Sequence, residues 1–211
     1  MKKFVLLLCL IFASGCSSEF RIDLSSPELA DACITEIPTV NIPRALRQRN
    51  YEGKKLYRDE DGRWQGEGSC AHATMISLFR WQGRHNMADY WRKTYDSGET
   101  PDAIVGDPQC NLADKLDREK VRYAYTTAGN VDFLEWACST RRGCGITVMG
   151  GRHMVALVHL DAEQAGIMDP NNPQDIYFVP RDQLIAEWQN SNGWAVTPVY
   201  TPAPPLTSRT Q

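Results

Sequence analysis

Between Cys70 and Trp81 the apolar positions recur at helical spacing, with His72, Met75, Ile76 and Phe79 on one face. Ser69 stands where a capping residue belongs and Gln82-Gly83 closes the run, so the spacing predicts a buried helix over 70–81. A second helix is expected over 86–95, opened by Asn86, a good capping residue, and ended before Gly98. Shorter helical pieces are expected over 112–119 and 131–138. After Gly143 the pattern changes. Residues 146–149, 153–160, 165–169, 176–179 and 195–200 are short apolar runs separated by turn residues, and each is an expected strand. One helix, over 181–189, interrupts them before Ser191-Asn192-Gly193. Helices first and antiparallel strands second predict an α+β fold with a helical half packed on a sheet. No internal repeat is present.

The two ends carry different signals. Met1-Lys2-Lys3 precedes ten apolar residues over 4–13. Ten residues make about 15 Å of helix, roughly half a bilayer's hydrocarbon core, so the run reads as the apolar region of a signal peptide and not as a span. Ala13-Ser14-Gly15-Cys16 then resembles the bacterial lipoprotein signal, which implies lipid attachment at Cys16 and export to the far side of a bacterial membrane. An ordinary secretory signal is the alternative, and either one exports the chain. Residues 16–45 are polar, with Pro27, Pro38 and Pro43, and read as a tether. The domain is expected over 46–200, followed by a Pro-rich tail over 201–211.

Composition narrows the classes. The 211 residues carry 23 Lys+Arg against 26 Asp+Glu, a net charge of −3, and 42% are hydrophobic. That is too apolar for a disordered chain and lacks the basic excess of a nucleic-acid binder. Without residues 1–15, which hold Lys2 and Lys3, 21 basic residues face 26 acidic ones and the net charge is −5. Such a chain has no electrostatic pull toward anionic membrane, so a lipid on Cys16 would be its anchor.

Seven cysteines are present: Cys9, Cys16, Cys33, Cys70, Cys110, Cys138 and Cys144. Cys9 would leave with the signal and Cys16 would carry lipid. Five remain in an oxidising compartment where pairing is the default, so one thiol is left over. Cys138 and Cys144 flank a basic turn and are placed to close a short loop, although spacing does not fix connectivity. Parity does not say which thiol stays free.

Context points to Cys70. Gly66-Glu67-Gly68-Ser69-Cys70 brings it to the first turn of a helix, where unpaired N–H groups stabilise negative charge and so suit a thiolate. A free cysteine at a helix start is also a common small packing residue. A nucleophile needs a base, itself held by a third group. If the segment 153–169 is a hairpin turning near Asp161-Ala162, His153 lies opposite residues 169–171, within reach of Asp169 or, as the alternative orienter, Asn171. The other histidines fit less well. His72 points about 200° around the helix from Cys70 and reads as a packing residue, His159 sits near the hairpin tip, and His85 faces solvent. Zinc-ligand spacings are absent, and no metal or other cofactor is expected.

Together, Gln65-Gly66-Glu67-Gly68-Ser69-Cys70, Phe79-Arg80-Trp81-Gln82-Gly83, Arg152-His153-Met154-Val155-Ala156-Leu157-Val158 and Ile167-Met168-Asp169-Pro170-Asn171 resemble papain-like cysteine peptidases of the C39-like type. The segment 179–188 resembles that group's closing helix, and the likeness runs from about residue 60 to 200. The resemblance implies a papain-like α+β fold and a peptide or protein substrate. It implies Cys70 as nucleophile, His153 as general base, Asp169 as orienter and Gln65 as an oxyanion donor, although Gln65 stands one residue closer to the cysteine than is usual. Two other readings stay open. A transglutaminase-like acyl transferase shares the Cys, His, Asp order, and an inactive papain-like binding lipoprotein would share the fold alone.

Overall fold

The computed structural model describes residues 42–49, 69–96 and 109–200, together with the backbone of three short strands, Arg21–Asp23 (β1), Tyr57–Arg58 (β2) and Trp64–Gln65 (β3). The signal and lipidation segments, Cys33, the tail over 201–211 and the side chains of Gln65 and Cys110 lie outside the described residues.

Five helices are described: α1 (Cys70–Trp81), α2 (His85–Tyr95), α3 (Gln109–Arg118), α4 (Val131–Ser139) and α5 (Arg181–Asn190). The remaining strands are β4 (Tyr123–Thr126), β5 (Cys144–Val148), β6 (His153–Leu160), β7 (Gln164–Met168), β8 (Tyr177–Pro180) and β9 (Ala195–Pro198). One sheet runs β1-β4-β9-β5-β6-β7-β8; β1 joins its edge in parallel and every other pairing is antiparallel. The fold is α+β. The expected helices and strands are all present, with ends moved by at most three residues. Two details differ from the sequence expectation. Residues 123–126 sit in the half read as helical, yet form β4 by pairing with β9. The second helix starts at His85, because Arg84 N–H closes a turn on the Phe79 carbonyl (2.8 Å) and leaves Asn86 inside the helix.

Helices cover both faces of the sheet. On the first face α1 is buried nearly all round, so Met75, Phe79, Trp91, Leu112 and Leu116 pack with Met154, Ala156 and Val158 of β6. On the second, Phe133, Leu134, Leu184 and Trp188 pack with Val155, Leu157 and Ile146. Alternate residues of β6 therefore enter two different cores, which explains its unbroken apolar run. Each large side chain so buried contributes about 2 to 3 kcal/mol of transfer free energy. Close approach of α1 depends on Gly145 of β5: a Cβ there would meet Met154 Cε at 2.1 Å and Thr74 Cγ2 at 3.2 Å. Thr74 Oγ1 donates to the Met154 carbonyl (3.3 Å) and ties the helix to the start of β6.

The short loop that Cys138 and Cys144 were placed to close is not closed, and no disulfide is present among the described residues. Cys138 ends α4, Cys144 begins β5, and both are fully buried in the second core as small apolar groups. Burial pushes both thiols well above the usual range.

Candidate active site

Cys70 is the first residue of α1 and is half-buried. Ser69 precedes it, fully buried, with its carbonyl accepting from Ala73 N–H (2.8 Å); its hydroxyl makes no capping bond to the helix. The N–H groups of the first turn therefore point past Cys70 without partners in the helix ladder. They give that end of α1 a partial positive charge beside the thiol.

His153 opens β6. The ladder between β6 and β7 pairs Ala156 with Met168 and shifts register between Leu157 and His159, where an extra residue bulges. Carried toward the strand ends, the pairing sets His153 level with Asn171 and one diagonal step from Asp169. The diagonal neighbour wins the imidazole. Nε2 of His153 meets Asp169 Oδ1 at 2.9 Å, while Asn171 Nδ2 stands 3.4 Å from the same nitrogen. Asn171 serves the carboxylate instead: its backbone N–H donates to Asp169 Oδ1 (2.8 Å). His153 also shares a side-chain hydrogen bond with Cys70. With Nε2 engaged by Asp169, Nδ1 is the nitrogen left to face the sulfur. Cys70, His153, Asp169 and Asn171, named from sequence, are thus brought together; of Gln65 only the backbone position, on β3, is described.

The electrostatics follow from this contact chain. Burial pulls the His153 pKa down, but the hydrogen bonds and charges of Asp169 and Cys70 outweigh it and push the imidazole up to about 9. Burial raises Asp169, yet its bonds to His153 and to the Asn171 N–H hold the carboxyl below the usual carboxylate range. At neutral pH the arrangement is an imidazolium clamped by a carboxylate, with its second N–H directed at the Cys70 sulfur on a helix start. It can stabilise a thiolate and can hand a proton to a group arriving beside the sulfur.

The remaining histidines take structural places. His72 Nδ1 accepts from Trp91 Nε1 (3.1 Å), and its ring stacks on Tyr95 at 5.6 Å. His159 pairs with Asp161 (2.8 Å) near the hairpin tip, and His85 is exposed. Among the described residues no three His, Cys, Asp or Glu side chains gather to hold a metal, and no helix is long and apolar enough to cross a membrane.

Sequence reasoning missed the groups that hold the loop after β7. Arg47 donates from Nη1 to the carbonyls of Pro173 (2.9 Å) and Gln174 (3.0 Å), and from Nε to the Ile42 carbonyl (2.7 Å). Gln48 N–H donates to Ser77 Oγ of α1 (2.9 Å), so residues 42–49 strap the loop carrying Asp169 and Asn171 to the helix carrying Cys70. Nothing local in the sequence distinguishes Arg47 from its neighbours Arg44 and Arg49.

No protein-family model matches the chain, and no curated protein matches it. Among solved structures, a double glycine motif protease from an AMS/PCAT transporter, in complex with the leader peptide, is similar at a TM-score of 0.45 and 15% identity, over 72% of this chain and 96% of that one. A Bacillus anthracis protein described as a C39-like peptidase is similar at a TM-score of 0.45 and 14% identity, over 64% of this chain and 90% of that one. Neither likeness carries an argument about chemistry, which rests on this chain's own side chains.

Proposed function

We propose that the chain is a papain-like thiol peptidase of the C39-like type, exported and held to the membrane by lipid on Cys16. The observation that supports the chemistry is the unbroken contact chain from Cys70 through His153 to Asp169. The Cys70 thiolate, its proton held on the His153 imidazolium, attacks the substrate carbonyl carbon, and the carbonyl oxygen takes the negative charge. The backbone N–H groups at the start of α1 and the Gln65 amide are its donors, each worth about 3 to 4 kcal/mol where well aimed. The C–N bond then breaks, and His153 gives its proton to the departing amine. Water, deprotonated by the now neutral His153, attacks the thioester, releases the acid and restores the thiolate–imidazolium pair. Asp169 holds the ring in one orientation throughout and stabilises its charged form. Asn171 is a positioning residue for that carboxylate.

The test uses the full chain and its Cys70→Ala variant against a mixed peptide library, with products read by mass spectrometry and ammonia release measured beside an added amine. Cys70-dependent cleavage is expected. Ammonia release without cleavage would replace the peptidase reading with acyl transfer from glutamine side chains, and turnover surviving Cys70→Ala would end both. Limiting iodoacetamide supplies a second readout: Cys70 is expected to be alkylated in the native protein, while Cys138 and Cys144 react only after unfolding. Export and anchoring are tested separately in a bacterial host. Cys16→Ser is expected to move the protein from the membrane to the soluble fraction and to abolish fatty-acid labelling.

A further inference from the structure

A cavity of ≈ 550 Å³ opens beside the imidazole of His153 and the carboxylate of Asp169, between the ends of β5–β8 and α5. Its walls are aliphatic, built from Val148, Val155, Ile167, Val179 and Leu184. Neither Cys70 nor any other residue of α1 reaches it. That one-sidedness has a chemical meaning. When a peptide bond is cut, the acyl half stays on the cysteine sulfur and the amine half departs past the histidine that protonates it. A space bordered by His153 and not by Cys70 therefore lies on the amine side.

The rim carries apolar groups that water would otherwise disfavour: Met149 is 57% exposed and Tyr177 is 39% exposed, and both line the cavity. Met149 is fixed there in a left-handed conformation (φ 56°), with its N–H donated to Glu187 Oε1 (2.7 Å). The charges of His153 and Asp169 cancel in their pair and Gln183 and Asn190 are neutral, so Glu187 leaves the polar part of the wall with a net negative charge, which suits a newly released ammonium and repels a substrate carboxylate.

We propose that this cavity receives the substrate residue on the amine side of the scissile bond, selecting a large aliphatic or aromatic side chain and rejecting an acidic one. The inference rests on the peptidase reading and names the substrate class for that same site. The volume accommodates any single natural side chain, and burying one against aliphatic walls yields selectivity of about tenfold or more over glycine.

The experiment has two readouts on the full chain. The first follows the Met149 methyl resonance in the Cys70→Ala variant, labelled with ¹³C-methyl methionine, as phenylalaninamide, glycinamide or glutamic acid amide is added. Phenylalaninamide is expected to move the signal and the other two to leave it in place. Ala186→Trp, which fills the cavity from an exposed position on α5, is expected to abolish the response. The second readout loads the wild-type enzyme with a peptide ester and measures partition between water and the same amides; phenylalaninamide is expected to win over glycinamide by about tenfold. Cys70-dependent turnover without side-chain preference, or a Met149 signal indifferent to phenylalaninamide, overturns the inference and leaves the peptidase reading intact. A Met149 response without any Cys70-dependent turnover overturns the peptidase reading, and leaves the cavity as a binding site for an apolar residue.

Discussion

Replacing Asp169 with Asn removes the charge that holds the His153 imidazolium while keeping the side chain's shape. The His153 pKa is raised from 6.5 to about 9, so folding favours its charged form by about 3 kcal/mol. Both partners are well covered, with 11% of the His153 side chain and 28% of the Asp169 side chain exposed, so solvent screening takes little from this figure. Of the raising influences, the Asp169 hydrogen bond comes before those of Cys70. Loss of the Asp169 charge is therefore assigned a substantial part of this, about 2 kcal/mol. The sign is set by the two titrations. A histidine raised in the folded state contributes its stability fully below pH 6.5 and loses it as pH climbs through about 9. A carboxyl lowered in the folded state contributes above its ordinary 3.8 and loses it as pH falls through its depressed value. The pair is thus worth most between these limits. Urea unfolding of reduced wild type and Asp169→Asn is expected to differ by about 2 kcal/mol near pH 5.5 and by under about 1 kcal/mol near pH 9.5. The alkaline limb of wild-type turnover is expected near pH 9, where His153 loses the proton it gives to the amine, and at lower pH in the variant. A stability gap that stays constant with pH, or an alkaline limb that does not move, refutes the reasoning.

Two further perturbations probe the frame of the site. Gly193 has φ +60°, and a Cβ there would lie 2.5 Å from Gly129 Cα and 2.6 Å from Gly129 N; Gly193→Ala is expected to cost about 3 kcal/mol or more, read by thermal unfolding. Arg47→Ala frees the Pro173 and Gln174 carbonyls, so kcat is expected to fall about tenfold while stability drops about 1 to 2 kcal/mol. Arg47→Lys is expected not to restore kcat, because a point charge does not reproduce the guanidinium fork.

What could be read from the sequence divides by range. α1 was legible to the residue because its apolar face, the residue before it and the Gln82-Gly83 stop are all local signals. β6 was equally clear, since its eight residues are uninterrupted and both neighbouring turns are marked. β4 was not legible. Tyr123-Ala124-Tyr125-Thr126 is too short to show alternation, all four residues are buried, and its strand state comes from pairing with β9 some seventy positions away. The candidate site shows the same division at finer scale. His153 and Asp169 are joined by one hairpin, so counting back from the turn was enough to bring them level within a residue or two. That count could not foresee the bulge between Leu157 and His159, which moves the partner of His153 from residue 172 to Asn171 and so brings Asp169, two residues away, onto the same face. Cys70 comes from a separate helix, and its approach depends on Gly145 and on the strap through Arg47 and Gln48. The strap's contacts join residues from 29 to 127 positions apart and leave no local signature. The cavity beside His153 is more remote still, because its walls come from four strands and α5 and no element carries a pattern of its own for it. Element ends and hairpin partners place the reacting groups, so the chemistry can be read early; the substrate's side chain is chosen where distant elements meet, and it has to be read from the folded chain.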